Sequence, residues 1–167
     1  MNVYTTKRFE FWAAHRYWNP NWSKERNREV FGDDNQAALA PAYGFSAAHR
    51  LHSPSLSDEA NRALYGKCDD PHGHGHNYVF EAVVAGPVDS ETGMVVTRGE
   101  LDAAATAIAA DLDSRYLDAE VPAFREIVST GENIVAYLWQ RLYAALGNRL
   151  RRVKLWETPN NTFEITA

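Results

Sequence analysis

Residues 68–76 read CDDPHGHGH, a run in which three histidines lie two residues apart. If the run enters a β-strand, alternate side chains share one face, so His74 and His76 point in the same direction. Two imidazoles on one face supply half of a metal site, and we expect His49 to supply a third ligand. Three neutral imidazoles on zinc leave a fourth position open, as in catalytic rather than structural zinc sites. The alternative interpretation is a histidine-rich surface turn with chance affinity for metals.

Length and composition limit the class of protein. The chain has 167 residues, which is enough for one domain with a buried core. Hydrophobic residues make up 45% and charged residues 23% of the chain, as in ordinary soluble globular proteins. No apolar run approaches the roughly 20 residues that span a bilayer. Residues 1–7 lack the apolar segment of a signal peptide, so we expect no membrane partner.

Charge and cysteine content narrow the class further. The formal net charge of -5 argues against a nucleic-acid partner. Cys68 is the one cysteine of the sequence and has no intramolecular partner for a disulfide. A cytoplasmic location is therefore the default expectation, and Cys68 is a candidate free thiol.

The N-terminal part of the chain contains a partial repeat. Residues 11–32 and residues 45–66 match at 11 of 22 positions with an offset of 34. A solenoid needs about three or more copies, so two copies indicate a local duplication of a strand followed by a short helix. We therefore predict an N-terminal extension over residues 1–42, followed by the main part of a single domain over residues 43–167.

The repeat makes His15 the counterpart of His49. Residues 3–11 have strong strand character, whereas residues 36–42, just before the second copy, are typical of a linker. The first copy thus has the stronger sequence signal for a strand, and the second copy has the more complete pattern of metal ligands. We favour His49 as the metal ligand because only the second copy continues into the His-Gly-His run.

The rest of the chain predicts two helices between pairs of strands. Residues 77–85 alternate as a strand does, and residues 94–96 are predicted to return beside it. Capping boxes at residues 97–100 and 129–132 are expected to begin the helices. Their apolar faces comprise Leu101, Ala105, Ile108 and Leu112 in the first helix, and Ile134, Leu138, Leu142 and Leu146 in the second.

The first helix is predicted to stop near residues 113–116, and Gly147 is a suitable end for the second. Residues 151–157 and the segment around Phe163 and Ile165 are predicted to form a final strand pair. The expected fold class is α+β, an antiparallel sheet with both helices on one face.

From Phe45 onward the sequence resembles the 6-pyruvoyl-tetrahydropterin synthase / 6-carboxytetrahydropterin synthase family. The resemblance rests on five stretches in order, which are FSAAHRL, LSDEANRALYGKC, PHGHGHNY, STGEN and WETPNN. It implies the tunnelling fold (T-fold), a four-stranded antiparallel sheet backed by two helices. It also implies a homo-oligomer, either a trimer or a hexamer of two stacked trimers, and a pterin substrate, 7,8-dihydroneopterin triphosphate.

The resemblance also implies roles for individual residues. Three histidines are expected to bind Zn²⁺, namely His49, His74 and His76. Two residues are expected to be catalytic, namely Cys68 and Asp113. Three are expected to bind the substrate: Glu157 anchors the pterin ring, and Thr130 and Glu132 make further contacts with it.

Two positions depart from the family pattern. Gly131 stands where many relatives have threonine. Ser114 stands where the family has the histidine of a catalytic Asp-His pair, and a serine hydroxyl hardly titrates near neutral pH. His72, His52 and His15 are candidates to replace that histidine.

Several expected site residues have a purely structural alternative. Cys68 can be a small buried hydrophobe and Glu157 a surface residue of a strand. Asp113 can be a turn residue at the end of a helix.

The leading prediction is a zinc-dependent lyase that converts 7,8-dihydroneopterin triphosphate to 6-pyruvoyl-tetrahydropterin with triphosphate release. Five residues separate Cys68 from His74, as in biopterin-type members, whereas the queuosine-type 6-carboxytetrahydropterin synthases typically have three. That relative, which releases acetaldehyde, is the enzymatic alternative. A pterin-binding protein with weak or altered catalysis is the other, because of Ser114.

Overall fold

A computed structural model describes residue 21, residues 23–26 and residues 36–167 of the chain. The strand predicted at residues 3–11 and the repeat partner His15 lie outside the described residues. The duplicated strand and the boundary between residues 1–42 and 43–167 therefore stay predictions. His15 also remains untested as an alternative metal ligand to His49.

One mixed sheet forms the centre of the described fold. Its strands are β1 (Gln36–Leu39), β2 (Ala42–His49), β3 (His74–Pro87), β4 (Arg115–Tyr116), β5 (Leu150–Thr158) and β6 (Asn161–Thr166). The strand order is β4-β2-β3-β5-β6, and β1 also pairs with β3. Every pairing is antiparallel except the short one between β2 and β4. The predicted four-stranded antiparallel sheet is confirmed in the long strands β2, β3, β5 and β6.

The prediction of a linker over residues 36–42 is wrong, because β1 occupies most of it. Leu39 lies opposite Val84 and Ala42 opposite Glu81, so β1 and β2 follow one edge of β3 in a single register. Pro41 interrupts the hydrogen-bond ladder between β1 and β2 along this edge, because proline has no amide hydrogen to donate. Pairing with the long strand β3 outweighs the weak strand propensity of this alanine-rich segment.

The return strand predicted at residues 94–96 is also wrong. Those residues lie in a loop, in which the Asp89 amide donates to the Met94 carbonyl at 2.9 Å. At the far end of β3 one edge is occupied by β1, whereas β5 pairs with the other edge only as far as Val84.

The helices are α1 (Asp58–Tyr65), α2 (Arg98–Leu112), the short α3 (Leu117–Glu120) and α4 (Gly131–Leu146). Thr97 caps α2 as predicted, because its hydroxyl accepts a hydrogen bond from the Glu100 amide at 3.2 Å. The predicted cap of α4 is wrong by one residue, since Thr130 rather than Ser129 accepts from the Asn133 amide. The side chain of Ser129 is used elsewhere, as described below.

The core lies between the sheet and the two long helices, α2 and α4. All eight apolar positions predicted for the two helix faces are buried. Alternate residues of β3, from Tyr78 to Val84, are buried as well, whereas Val79 on the opposite face of the sheet is 41% exposed. Each fully buried leucine contributes about 1.5–3 kcal/mol to folding. Among the described residues, no helix is both long enough and apolar enough to cross a membrane.

Candidate metal centre and active site

Three histidines meet where β2 ends and β3 begins. The register places His49 directly opposite His74, and His76 follows on the same face of β3 as predicted. The Nε2 atoms of His49 and His74 lie 3.1 Å apart. One nitrogen from each of the three rings lies within 4.8 Å of the other two. The structure thus brings the three expected ligands together.

The ring of His49 is held in one orientation from behind. Its side chain is 1% exposed, and its Nδ1 lies 2.8 Å from the backbone carbonyl oxygen of Ser129. A carbonyl only accepts, so Nδ1 carries the proton and Nε2 keeps its lone pair. That lone pair faces the other histidines, as metal-binding imidazoles require.

The three imidazole donors fit zinc, and so does the one distance between His49 and His74. Tetrahedral zinc with nitrogen ligands at 2.0–2.1 Å separates those nitrogens by about 3.3 Å, close to the distance between His49 and His74. Burial, and then the neighbouring imidazoles, lower the pKa of His74 below its ordinary value. Burial also lowers the pKa of His76, against the opposing effect of Glu157. Both rings are therefore neutral near pH 7, which is the form that binds metals.

A carboxylate stands beside this histidine group. Glu157 Oε1 lies 3.8 Å from Nε2 of His49 and 4.0 Å from Nε2 of His76. The pairing of β5 with β6 shifts register between Trp156 and Thr158, and such a bulge redirects the side chain at its centre. The bulge accounts for how a strand glutamate reaches the histidines.

Tyr78 connects the carboxylate to the histidines. Its hydroxyl lies 3.5 Å from Glu157 Oε1, to which it donates, and 3.5 Å from Nε2 of His49. Burial, and then the charge of Glu157, raise the pKa of Tyr78 far above its ordinary value. The phenol therefore stays protonated and acts only as a hydrogen-bond donor to the carboxylate.

Two open cavities lie near the site. The first, about 580 Å³, is lined by Glu157 together with Asn77, Val79 and Trp156, and by none of the three histidines. The second, about 530 Å³, is lined by His76 and Ser114 among others. Both volumes are in the range of small-molecule sites.

The family model described as 6-pyruvoyl tetrahydropterin synthase matches residues 39–167. The chain belongs to this family. The 6-pyruvoyl tetrahydrobiopterin synthase of Drosophila melanogaster is 48% identical over 162 residues, covering 95% of this chain and 76% of that protein. The synthase of the same name from Homo sapiens is 45% identical over 158 residues, covering 93% of this chain and 86% of that protein.

Solved structures of the 6-pyruvoyl tetrahydropterin synthase family have the same fold. The Caenorhabditis elegans 6-pyruvoyl tetrahydropterin synthase superposes with a TM-score of 0.76 at 38% identity, over 79% of this chain and 96% of that chain. The Plasmodium falciparum protein of that name superposes with a TM-score of 0.55 at 15% identity, a likeness that shows the fold alone. The predicted tunnelling fold and the predicted family are thus confirmed.

Cys68, the family's expected catalytic cysteine, lies in a short 3-10 turn, Gly66–Asp69, after α1. Its side chain is half-buried, and its carbonyl accepts a hydrogen bond from the Leu51 amide at 2.9 Å. This bond ties the turn to the chain two residues beyond His49. Cys68 is not part of the three-histidine group, and its catalytic role stays a prediction.

Asp113 and Ser114, the positions of the family's Asp-His pair, join the end of α2 to the edge of β2. Asp113 Oδ1 accepts a hydrogen bond from the Ser46 amide at 2.7 Å, and the Ser114 amide donates to the Ser46 carbonyl at 2.6 Å. Ser114 has a φ of 59°, in the left-handed region. These contacts support the structural alternative for Asp113, whose catalytic role stays a prediction.

Among the candidates to replace the family's histidine, His52 has the best-defined partner in the described structure. Its Nδ1 lies 2.8 Å from Oδ1 of Asp69, which is 4% exposed and follows Cys68 directly. Burial raises the pKa of Asp69, but the hydrogen bonds and charges of His52 and Arg50 outweigh that effect and hold it below its usual value. His72 is 94% exposed, and its Nδ1 lies 3.3 Å from Asp70.

The expected substrate contacts Thr130 and Glu132 lie at the N-terminus of α4. Thr130 is its half-buried N-cap and Glu132 is exposed in the first turn. Their contacts with a pterin stay predictions. Between them, a Cβ at Gly131 would lie 2.0 Å from a ring carbon of Phe163, so this chain has no room there for the threonine of many relatives.

Three residues around the histidine group are not evident as site residues from the sequence. The capping pattern indicates a helix cap at Ser129, whereas its carbonyl orients His49. The alternation of residues 77–85 indicates only a strand at Tyr78, although its position two residues after His76 places it on the same face of β3. Asp118 carries no signal in the sequence.

Proposed function

We propose that this chain is a zinc-dependent lyase that converts 7,8-dihydroneopterin triphosphate to 6-pyruvoyl-tetrahydropterin and releases triphosphate. The observation that carries the proposal is the group of His49, His74 and His76, with the carboxylate of Glu157 within 4.0 Å of two of the rings. The substrate and product named here are those of the family that the chain belongs to. The 6-pyruvoyl tetrahydrobiopterin synthases among its relatives support the same assignment.

Zn²⁺ bound by the three histidines would supply a Lewis acid that acidifies the C–H and O–H groups of the substrate side chain. Glu157 has acceptor oxygens for the 2-amino group and the ring N–H of a pterin, and such charge-assisted pairs give orientation as well as affinity. Tyr78 holds the Glu157 carboxylate in place from its buried side.

The reaction couples an internal redox step to an elimination. The C1′–OH carbon of the side chain becomes a ketone as two protons and two electrons pass from it to the C6=N5 bond of the dihydropterin ring. C2′ then loses a proton as triphosphate leaves C3′, and the resulting enol gains a proton at C3′ to give the second ketone. In this proposal the Cys68 thiolate accepts the first proton, since thiolates near a bound cation have a lowered pKa and can act as bases. In this proposal Asp113 or an imidazole such as His52 donates the protons that the product gains, because the Ser114 hydroxyl hardly titrates near neutral pH.

The proposal includes a homo-oligomer, either a trimer or a hexamer of two stacked trimers. Light scattering well above the 18.8 kDa of one chain would support it, and a monomer would contradict it. A cytoplasmic location is part of the same proposal, on the grounds of the single cysteine.

The deciding experiment incubates the zinc-loaded protein with 7,8-dihydroneopterin triphosphate and follows the products by mass spectrometry. We expect 6-pyruvoyl-tetrahydropterin and triphosphate. A 6-carboxy product with acetaldehyde would instead assign the queuosine-type reaction. Recovery of unchanged substrate, with tight binding, would assign a pterin-binding role and would make Ser114 its cause.

A Glu157→Gln variant tests the anchoring role separately. The amide keeps the shape but loses one acceptor and the charge, and hydrogen bonds to charged groups contribute about 1.5–3 kcal/mol. We expect kcat/KM to fall about 10- to 100-fold by that reasoning, with zinc content unchanged. The matched control is Glu164→Gln on β6, which faces Arg152 at 3.8 Å and does not contact the histidines.

A further inference from the structure

Asp118, in the short helix α3, joins the two segments that hold His49. Its Oδ2 accepts a hydrogen bond from the Arg50 amide at 2.8 Å, and its Oδ1 accepts from the Ser129 hydroxyl at 2.7 Å. Arg50 follows His49 directly in the chain, and the Ser129 carbonyl is the acceptor for Nδ1 of His49. One carboxylate therefore contacts both the backbone that carries His49 and the residue that orients its ring.

We propose that Asp118 is a positioning residue of the metal centre. It holds the Ser129 carbonyl against the ring of His49 and thereby keeps the Nε2 lone pair directed at His74. The inference rests on the proposed function, because it assumes that these histidines bind a metal.

The segment that carries Ser129 needs such an anchor. Residues 125–130 lie in neither a helix nor a strand, and the backbone beside Ser129 is held only by two hydrogen bonds to the Val128 carbonyl, from the Thr130 amide and the Asn133 side chain, both at 2.8 Å. The Ser129 side chain is fully buried, and its hydroxyl donates to Asp118. Without that bond the Ser129 carbonyl can move, and a movement of about 1 Å breaks a hydrogen bond of normal length. His49 would then be free to place its proton on Nε2, the atom that a metal requires without one.

The contacts of Asp118 distinguish it from an ordinary helix-terminus residue. Its partners lie 68 and 11 residues away in the chain, and both belong to other segments. Glu120, two residues further along α3, instead accepts from the nearby Tyr116 amide at 2.6 Å and pairs with Arg115 at 3.6 Å. Glu120 thus makes the same kind of carboxylate–amide bond from the same helix, but it has no link to His49, and it provides a matched control.

The test measures the zinc affinity of the folded protein by competition with a chromophoric chelator. Loss of an outer-shell partner typically lowers metal affinity about 10- to 100-fold, so we expect Asp118→Ala to weaken zinc binding about 10-fold. Asp118→Asn should stay close to the unaltered protein, because its amide oxygen can accept from Arg50 and its NH₂ can donate to the Ser129 hydroxyl. Glu120→Ala should also leave the affinity unchanged.

A second variant covers the case in which Asp118→Ala does not fold. Ser129→Ala keeps the carbonyl that His49 needs but removes the hydroxyl that ties it to Asp118, so we expect weaker zinc binding in the same direction. Nitrogen-15 NMR of the metal-free proteins reports the His49 tautomer directly. We expect a single Nδ1–H form in the unaltered chain and a mixture of tautomers in Ser129→Ala.

The zinc titration of the unaltered chain tests the proposed function, and the differences between variants test the inference. Failure of the unaltered chain to bind zinc would overturn the proposed function, while the tautomer measurement would still report on Asp118. The inference is overturned if Asp118→Ala and Ser129→Ala bind zinc as the unaltered chain does and keep the same tautomer. Equal weakening by Glu120→Ala would overturn it as well, because the effect would then belong to α3 in general.

Discussion

The three-histidine group and the neighbouring turns that carry Cys68, Asp113 and Ser114 are built in different ways. The histidines lie on paired strands, and the backbone register brings His49 opposite His74. The other three residues lie on turns, where individual hydrogen bonds to Leu51 and Ser46 contribute to their positions. The chain has all three histidines that the family resemblance implies, whereas the turn at Ser114 departs from the family pattern.

This difference has a physical basis. Moving one ligand on a strand requires a shift of the whole ladder, and a shift by one residue turns every side chain to the other face. A residue on a turn can change with little effect on its neighbours. The positions of the three histidines are therefore tied to the fold, while the residues on the turns are freer to vary.

Removing a ligand is expected to have the largest effect. Loss of an outer-shell partner already lowers metal affinity 10- to 100-fold, so His49→Ala should lower zinc affinity by more than about 100-fold. Chelator competition measures it. His72→Ala is the control, since that side chain is 94% exposed and outside the metal group. Similar losses in both variants would mean that the three-histidine group does not bind the metal.

Restoring the family's histidine tests the turn. A general acid–base group contributes about 10²–10⁴-fold, so Ser114→His should raise kcat by about 10- to 100-fold with KM little changed. Histidine is among the residues that tolerate the positive φ of this position. Ser114→Asn, which also tolerates it but transfers no proton, is the control.

Steady-state kinetics of the three proteins decide the question. If Ser114→His has the same kcat as the unaltered chain, another group already fills the role. A fall in kcat on His52→Ala would then identify that group as the imidazole held by Asp69.

A smaller effect is expected where α4 meets β6. Gly131→Ala places a Cβ 2.0 Å from the ring of Phe163 and should lower the free energy of unfolding by about 1–3 kcal/mol. Urea denaturation measures it. In the background of Phe163→Val the same substitution should have no further effect, because the ring is gone.

Gly99→Ala is the matched control for Gly131→Ala, because Gly99 lies in the first turn of α2 and nothing lies within 4 Å of its Cβ position. Alanine there should raise stability by up to about 1 kcal/mol. A loss of stability in Gly99→Ala as large as that in Gly131→Ala would show that the contact with Phe163 is not the cause.

The smallest expected effect is a dependence of stability on pH in the metal-free protein. Burial lowers the pKa of His74 and His76, so below about pH 6.5 the unfolded chain binds more protons than the folded one. Stability should therefore fall as the pH drops below about 6.5 and change little above it. Thermal melts from pH 8 to pH 5 measure this. A His74→Gln/His76→Gln variant should show a flatter profile, and an equally steep one would contradict the assignment.

Periodicity predicted the regular elements well. The apolar spacing of α2 and α4 and the alternation in β3 identified the buried residues, because these patterns follow from the local geometry of helices and strands. The error at residues 36–42 has a tertiary cause, because an alanine-rich segment became a strand where an edge of β3 was open. The absence of the predicted strand at residues 94–96 has no such explanation in the described pairings.

The sequence by itself indicated the family, the fold class and the three histidines, because a spacing of two residues places His74 and His76 on one face of a strand and the family resemblance adds His49. Only the tertiary structure revealed what holds those ligands. The Tyr78 hydroxyl and the Ser129 carbonyl lie next to the His49 ring, although these residues are 29 and 80 positions away in the chain. Asp118 acts on His49 through Ser129. Contacts between segments so far apart depend on how helices and strands pack, and no local pattern of residues encodes that.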